Sequence, residues 1–110
     1  PFAAQHFDLV FTMMTLHHIP DTEAILKRFH HVLKDRGHLC VADLDREDGS
    51  FHGAGFTGHL GFDREALRSV ALGCGFGPIV FDTVYRIGKT VSGAHRKFPV
   101  FLMTAEKSPD

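Results

Sequence analysis

The chain has 110 residues, 44% of them hydrophobic, with a formal net charge of -1, two cysteines and no tryptophan. That describes one globular domain with enough material for a core, at the small end for an enzyme. A near-neutral chain lacks the electrostatic footprint expected for nucleic acid or an anionic membrane, and no apolar run approaches the roughly 20 residues of a membrane helix. No signal-peptide pattern opens the sequence. Cys40 and Cys74 form no metal or redox motif, and two isolated thiols in apolar settings point to a reducing, cytoplasmic environment. The sequence begins at Pro1 and within a few residues reaches what reads as a central strand, the pattern expected of a truncated or processed chain.

"FDLVFTMM" (7–14) is almost continuously apolar after Asp8, which predicts a strand buried on both faces in a parallel sheet. "LHHIPD" ends it, with Asp21 placed to cap a helix. In "TEAILKRFHHVLKDRG" the residues Ile25, Leu26, Phe29, Val32 and Leu33 form one apolar helical stripe. Lys34 and Arg36 suit the negative end of that helix, and Gly37 is the expected C-terminal cap. "HLCVADL" (38–44) is a second apolar strand. Strand, helix and strand at this spacing make a βαβ unit with parallel strands.

The stretch 45–61, "DREDGSFHGAGFTGHLG", is polar and carries five of the eleven glycines. It reads as a lid-like loop, because loops of this length inside a domain are commonly lids or binding loops. A second helix follows from Asp63 through the glycines that end it. "PIVFDTVYRIG" (78–88) and "FPVFLMTAEK" (98–107) are two strands joined by the basic connection "KTVSGAHRK". With no helix between them they are expected to be antiparallel.

Three segments, "FDLVFTMMTLHHIPD", "ILKRFHHVLKDRGHLCVADL" and "GFDREALRSVALGCGF", together resemble the C-terminal half of class I S-adenosylmethionine-dependent methyltransferases of the small-molecule type. The resemblance runs from about Phe7 to Lys107. It implies an α/β, Rossmann-like, partial doubly wound sheet over 1–110, with strands 4-5-7-6, strand 7 antiparallel, and two helices. It also implies that the glycine-rich cofactor turn and the acidic residue that holds the ribose belong to strands 1 and 2 and are missing here. S-adenosylmethionine is therefore the cofactor of the complete protein, with weak or absent binding expected for this chain. "GCGFG" (73–77) spells a G-x-G-x-G motif. It follows a helical pattern and precedes Pro78 and a strand, so it reads as a helix end.

The resemblance places Thr12, Met13 and Met14, at the carboxyl end of the first strand, against the cofactor, although each could equally serve the core. His17 and His18 are candidates for substrate binding and for a general base, since imidazole titrates near neutral pH. The blander reading has one of them at a pocket rim and the other packed at the turn. Metal binding is not expected, because adjacent side chains diverge and no further ligand stands at the right spacing. Asp43, and Asp45 beside it, could orient a substrate amine or hydroxyl or merely cap the loop. Phe56, with His52 and His59, belongs to the lid, whereas His30 and His31 lie beside a helical stripe without a chemical role. The partners implied are a small-molecule methyl acceptor and a second copy of the chain, which could pair along the exposed edge of the first strand.

Overall fold

The computed structural model describes residues 3–109; Pro1, Phe2 and Asp110, and with them the chain start read above, lie outside the described residues. β1 (Phe7–Met13) runs parallel to β2 (Leu33–Leu44), with Val10 opposite Leu39 and Met13 opposite Ala42. β4 (Ala94–Lys107) lies antiparallel to β2 on one side and to β3 (Phe76–Val91) on the other, giving a four-stranded sheet of order β1-β2-β4-β3. That is the strand order and direction expected from the sequence, with the last strand reversed.

The two helices, α1 (Thr22–Val32) and α2 (Arg64–Gly73), cover one face of the sheet. Leu26 and Leu67 from the helices pack there with Leu39, Val41, Phe101 and Met103 from the strands. Side chains alternate across a strand, so Ala42 and Leu44 point to the opposite face, where they meet Phe98 and Val100 in a smaller cluster. No helix among the described residues is long and apolar enough to cross a membrane.

Four expectations need correction. β1 is not buried on both faces: Leu9, Phe11 and Met13 are 55%, 56% and 62% exposed, because β1 is the sheet edge and both helices lie on the face that Val10 shares. α1 begins as expected, with the Asp21 carboxylate accepting from the Ala24 amide at 3.0 Å, yet it ends at Val32 rather than Gly37. The Lys107 ammonium donates to the carbonyls of His30 and Leu33, each at 2.8 Å, and so satisfies the end of α1. Gly37 has a different duty, because a Cβ there would lie 2.8 Å from the Lys34 carbonyl oxygen and 3.1 Å from that of Asp8.

The third correction concerns the connection 89–97, most of which is strand. The turn is only Ser92 and Gly93, with φ of 52° and 80°, the two positive values that a tight hairpin demands. The fourth is that the first strand does not deliver the histidines directly. Met14 takes φ of 52°, the chain leaves the sheet, and Leu16–His18 form a separate 3-10 turn.

Candidate functional site

The 3-10 turn stands beside the carboxyl end of β2, and that proximity builds the site. The Asp43 carboxylate is completely buried and accepts three hydrogen bonds. His17 Nδ1 donates to Oδ1 at 2.6 Å, the His17 amide to Oδ2 at 3.0 Å and the Leu44 amide to Oδ1 at 2.7 Å. The His17 ring is 1% exposed, and its Nε2 is buried with no hydrogen-bond partner among the described residues. The buried carboxylate on Nδ1 orients the imidazole ring and leaves Nε2 turned away from every hydrogen-bonding group among the described residues.

His18 goes the other way. It is exposed and lines a cavity of about 320 Å³ with Pro20, Phe56, Thr57, Gly58 and His59. The pair thus divides between a buried ring and a cavity wall. Asp43, taken up by three donors on the protein, bears on a substrate only through His17.

Residues 45–61 close over this pair. The His52 and Phe56 rings stack at 3.8 Å, and His52 lies 5.0 Å from His17 between ring centroids. Phe56 lies 6.0 Å from His17 and 5.6 Å from His18. Gly58 fits because a Cβ would stand 2.6 Å from the His17 carbonyl oxygen and closer still to the Phe56 ring. The His59 amide donates to that same carbonyl at 2.8 Å, and His59 Nε2 lies 2.9 Å from the Ile19 carbonyl. Burial, with His17 and His18 nearby, holds the His52 imidazole below its ordinary value of 6.5.

The base of the loop is fixed separately. Arg64 holds Asp45 bidentately at 2.7 and 2.9 Å, which raises the guanidinium above its ordinary range and commits Asp45 to structure. On the far side Phe51 packs edge-on against Phe98 at 5.3 Å, Lys89 donates to the Phe51 carbonyl, and Arg96 pairs with Asp48 at 2.9 Å. The hydroxyl and amide of Ser50, followed by Arg96, lower the Asp48 carboxyl to about 2.

Thr12, Met13 and Met14 stand at the carboxyl end of β1. Thr12 Oγ1 is buried without a partner among the described residues, Met13 is exposed, and Met14 packs on the Ala42–Leu44 cluster. This end offers an apolar wall for the thioether side of a methionine-type ligand. Two glycine motifs do not complete it. In "GCGFG" the Cys74 amide donates to the Val70 and Ala71 carbonyls and Gly75 takes φ of +95°, so the stretch closes α2. "GAGFTG" (53–58) spells G-x-G-x-x-G, which sequence reading passed over, but it lies inside the loop: β2 ends at Leu44 and α2 starts only at Arg64. The fit to S-adenosylmethionine is therefore to one wall, without a phosphate-type amide cradle among the described residues.

Residues 1–41 match the model of a methyltransferase domain family. An uncharacterized methyltransferase of Schizosaccharomyces pombe is 37% identical over 78 residues, covering 71% of this chain and 25% of its own length. A solved S-adenosylmethionine-dependent methyltransferase of Thermotoga maritima, described as a possible histamine N-methyltransferase, superimposes with TM-score 0.76 at 20% identity, over 98% of this chain and 59% of its own. Phosphoethanolamine N-methyltransferase 2 of Haemonchus contortus, solved with S-adenosyl-L-methionine, gives TM-score 0.72 at 16% identity, over 99% of this chain and 35% of its own. The chain thus spans about a quarter of the curated relative and under two thirds of these two structures. Residues 1–41 thus carry the sequence signature of a methyltransferase domain, and the chain has the fold of part of the solved S-adenosylmethionine-dependent methyltransferases.

Proposed function

We propose that this chain is the acceptor-side part of a methyltransferase that acts on a small molecule carrying an O–H or N–H group, with His17 as its base. The observation that carries the reading is the buried His17–Asp43 pair, with Nδ1 held at 2.6 Å and Nε2 left without a partner. When bound, the cofactor would supply an electrophilic methyl group, its carbon–sulfur bond breaking as the sulfonium leaves as a neutral thioether. Thr12, Met13 and Met14 form the wall that would hold its methionine part, and His18 and Phe56 line the cavity where an acceptor would enter. His17 Nε2 takes the proton that the acceptor atom gives up as it forms its bond to carbon. Asp43 keeps the tautomer in place and stabilises the imidazolium that results. The glycine-rich turn and ribose carboxylate would come from the rest of a complete domain.

The test is methyl transfer by the complete protein with labelled S-adenosylmethionine, using histamine, phosphoethanolamine and catechol as probe acceptors. General-base catalysis contributes about 10²–10⁴-fold, so His17→Gln is expected to lower kcat by that order with little change in KM for the cofactor. A His17→Gln enzyme within about threefold of the parent removes His17 from the chemistry.

The free edge of β1, with Leu9, Phe11 and Met13 exposed, favours a second reading in which the chain is a non-catalytic half-domain that pairs with its own copy along that edge. Light scattering at micromolar concentration is expected to show a dimer that Phe11→Lys dissolves; a monomer in the parent chain rejects this reading.

A further inference from the structure

Nothing can reach His17 Nε2 while residues 45–61 stand as they do. The nitrogen is buried, and the rings above it, His52 and Phe56, belong to the loop. We infer that residues 52–59 are a gate over His17, closed by the stacked His52 and Phe56 rings and opened when His52 takes a proton. The inference deepens the proposed role of His17 by naming what controls access to it.

Three observations define the moving part. At the base, the isolated pairing of Asp45 with Phe62 and the Arg64–Asp45 ion pair tie the loop to β2 and α2. At the tip, Gly53 and Gly55 have φ of +83° and +86° in open space, so no packing around these two positions holds the segment between the stacked rings in place. The closing contacts are His52 on His17 at 5.0 Å, His52 on His18 at 5.8 Å and the stacked Phe56. His52 Nε2 is buried with no hydrogen-bond partner among the described residues, so a proton placed there finds no acceptor while the loop is closed.

The charged groups facing His52 offset the charge of that proton only in part. Asp43 is committed to His17 and two backbone amides. Glu47, on the loop itself, accepts from the Gly49 and Phe51 amides and favours the proton, while Lys89 from β3 opposes it. Burial and the two histidines together hold His52 below 6.5 in the closed loop. The open loop, where His52 is solvated, binds the proton more tightly. Closure is therefore favoured above the ordinary value and is lost as pH falls through it and below.

The His59 amide, which donates to the His17 carbonyl, reports closure. Its hydrogen-exchange protection, corrected for the intrinsic rate, is measured by NMR at pH 7.5 and 5.0 with the core amide of Val41 as reference. Protection at His59 is expected to fall about threefold or more at pH 5.0 while Val41 holds, and His52→Phe is expected to remove the fall. Equal protection at both pH values, or the same fall in His52→Phe, overturns the gate. If His52→Phe does not fold, the His52 ring titration in the parent chain decides, since a midpoint at or above 6.5 rejects it. Neither readout involves methyl transfer, so the gate and the base reading of His17 fail separately.

Discussion

Asp43→Asn keeps the shape of the side chain and replaces one acceptor oxygen with an NH₂ group. The carboxylate receives three donors on its two oxygens: His17 Nδ1 and the Leu44 amide on Oδ1, and the His17 amide on Oδ2. An asparagine offers a single oxygen, so its NH₂ must point at a protein N–H whichever way it is turned. A buried donor left unsatisfied costs about 1–3 kcal/mol, and the charge assistance on the 2.6 Å bond is lost as well. Breaking one side of a buried pair costs roughly 3–5 kcal/mol, so a loss of about 3 kcal/mol is expected. A domain of this size has about 5–15 kcal/mol in total, which makes the loss a large share. With a urea m-value of about 2 kcal/mol/M, the unfolding midpoint should fall by about 1.5 M at unchanged slope. Circular dichroism on parent, Asp43→Asn, His17→Gln and the double variant forms a thermodynamic cycle. The pair should show a coupling of about 1 kcal/mol or more. A loss under about 0.5 kcal/mol for Asp43→Asn would refute the claim that this carboxylate is what holds the histidine turn against β2.

Lys107→Met removes the ammonium that satisfies the His30 and Leu33 carbonyls while keeping the buried stem, and a loss of about 2 kcal/mol in chemical denaturation is expected. The glycines separate cleanly. Gly37→Ala pushes a methyl against two backbone carbonyls and should cost about 1–3 kcal/mol, whereas Gly73→Ala meets nothing within 4 Å at the end of α2 and should be neutral or gain up to about 1 kcal/mol. In thermal melts Gly37→Ala should lower the midpoint, while Gly73→Ala should leave it unchanged or raise it. Calorimetry of this chain with S-adenosylhomocysteine should show weak or no binding, because no amide cradle accompanies residues 12–14 among the described residues; tight binding would overturn that expectation.

The strand order was legible because each element carried its own signal: the apolar run 7–14, the stripe Leu26–Phe29–Leu33 and the paired strands around residues 78–107. Element ends were less so. Gly37 looked like a helix terminator, and nothing local reveals that Lys107, distant in sequence, satisfies α1 five residues earlier. The Ser92–Gly93 turn was hidden by basic residues that are compatible with strand and loop alike. In the site, the histidine pair and Asp43 were each picked out, but their bond was not, since it joins positions 26 apart through the register of β1 on β2. The burial of His52 against His17 was likewise out of reach, because a glycine-rich loop carries no periodicity that points its side chains.

The β3–β4 hairpin outlasts the sheet. β2 pairs with β4 only from Leu44 opposite Val100 to His38 opposite Glu106, whereas β3 and β4 stay paired from there out to Val91 opposite Ala94. The outer half of the hairpin therefore extends past β2 as a two-stranded ribbon, and residues 48–51 of the loop pack on it through Phe98, Lys89 and Arg96. The position of the segment that leads into His52 is thus set by the hairpin as much as by β2.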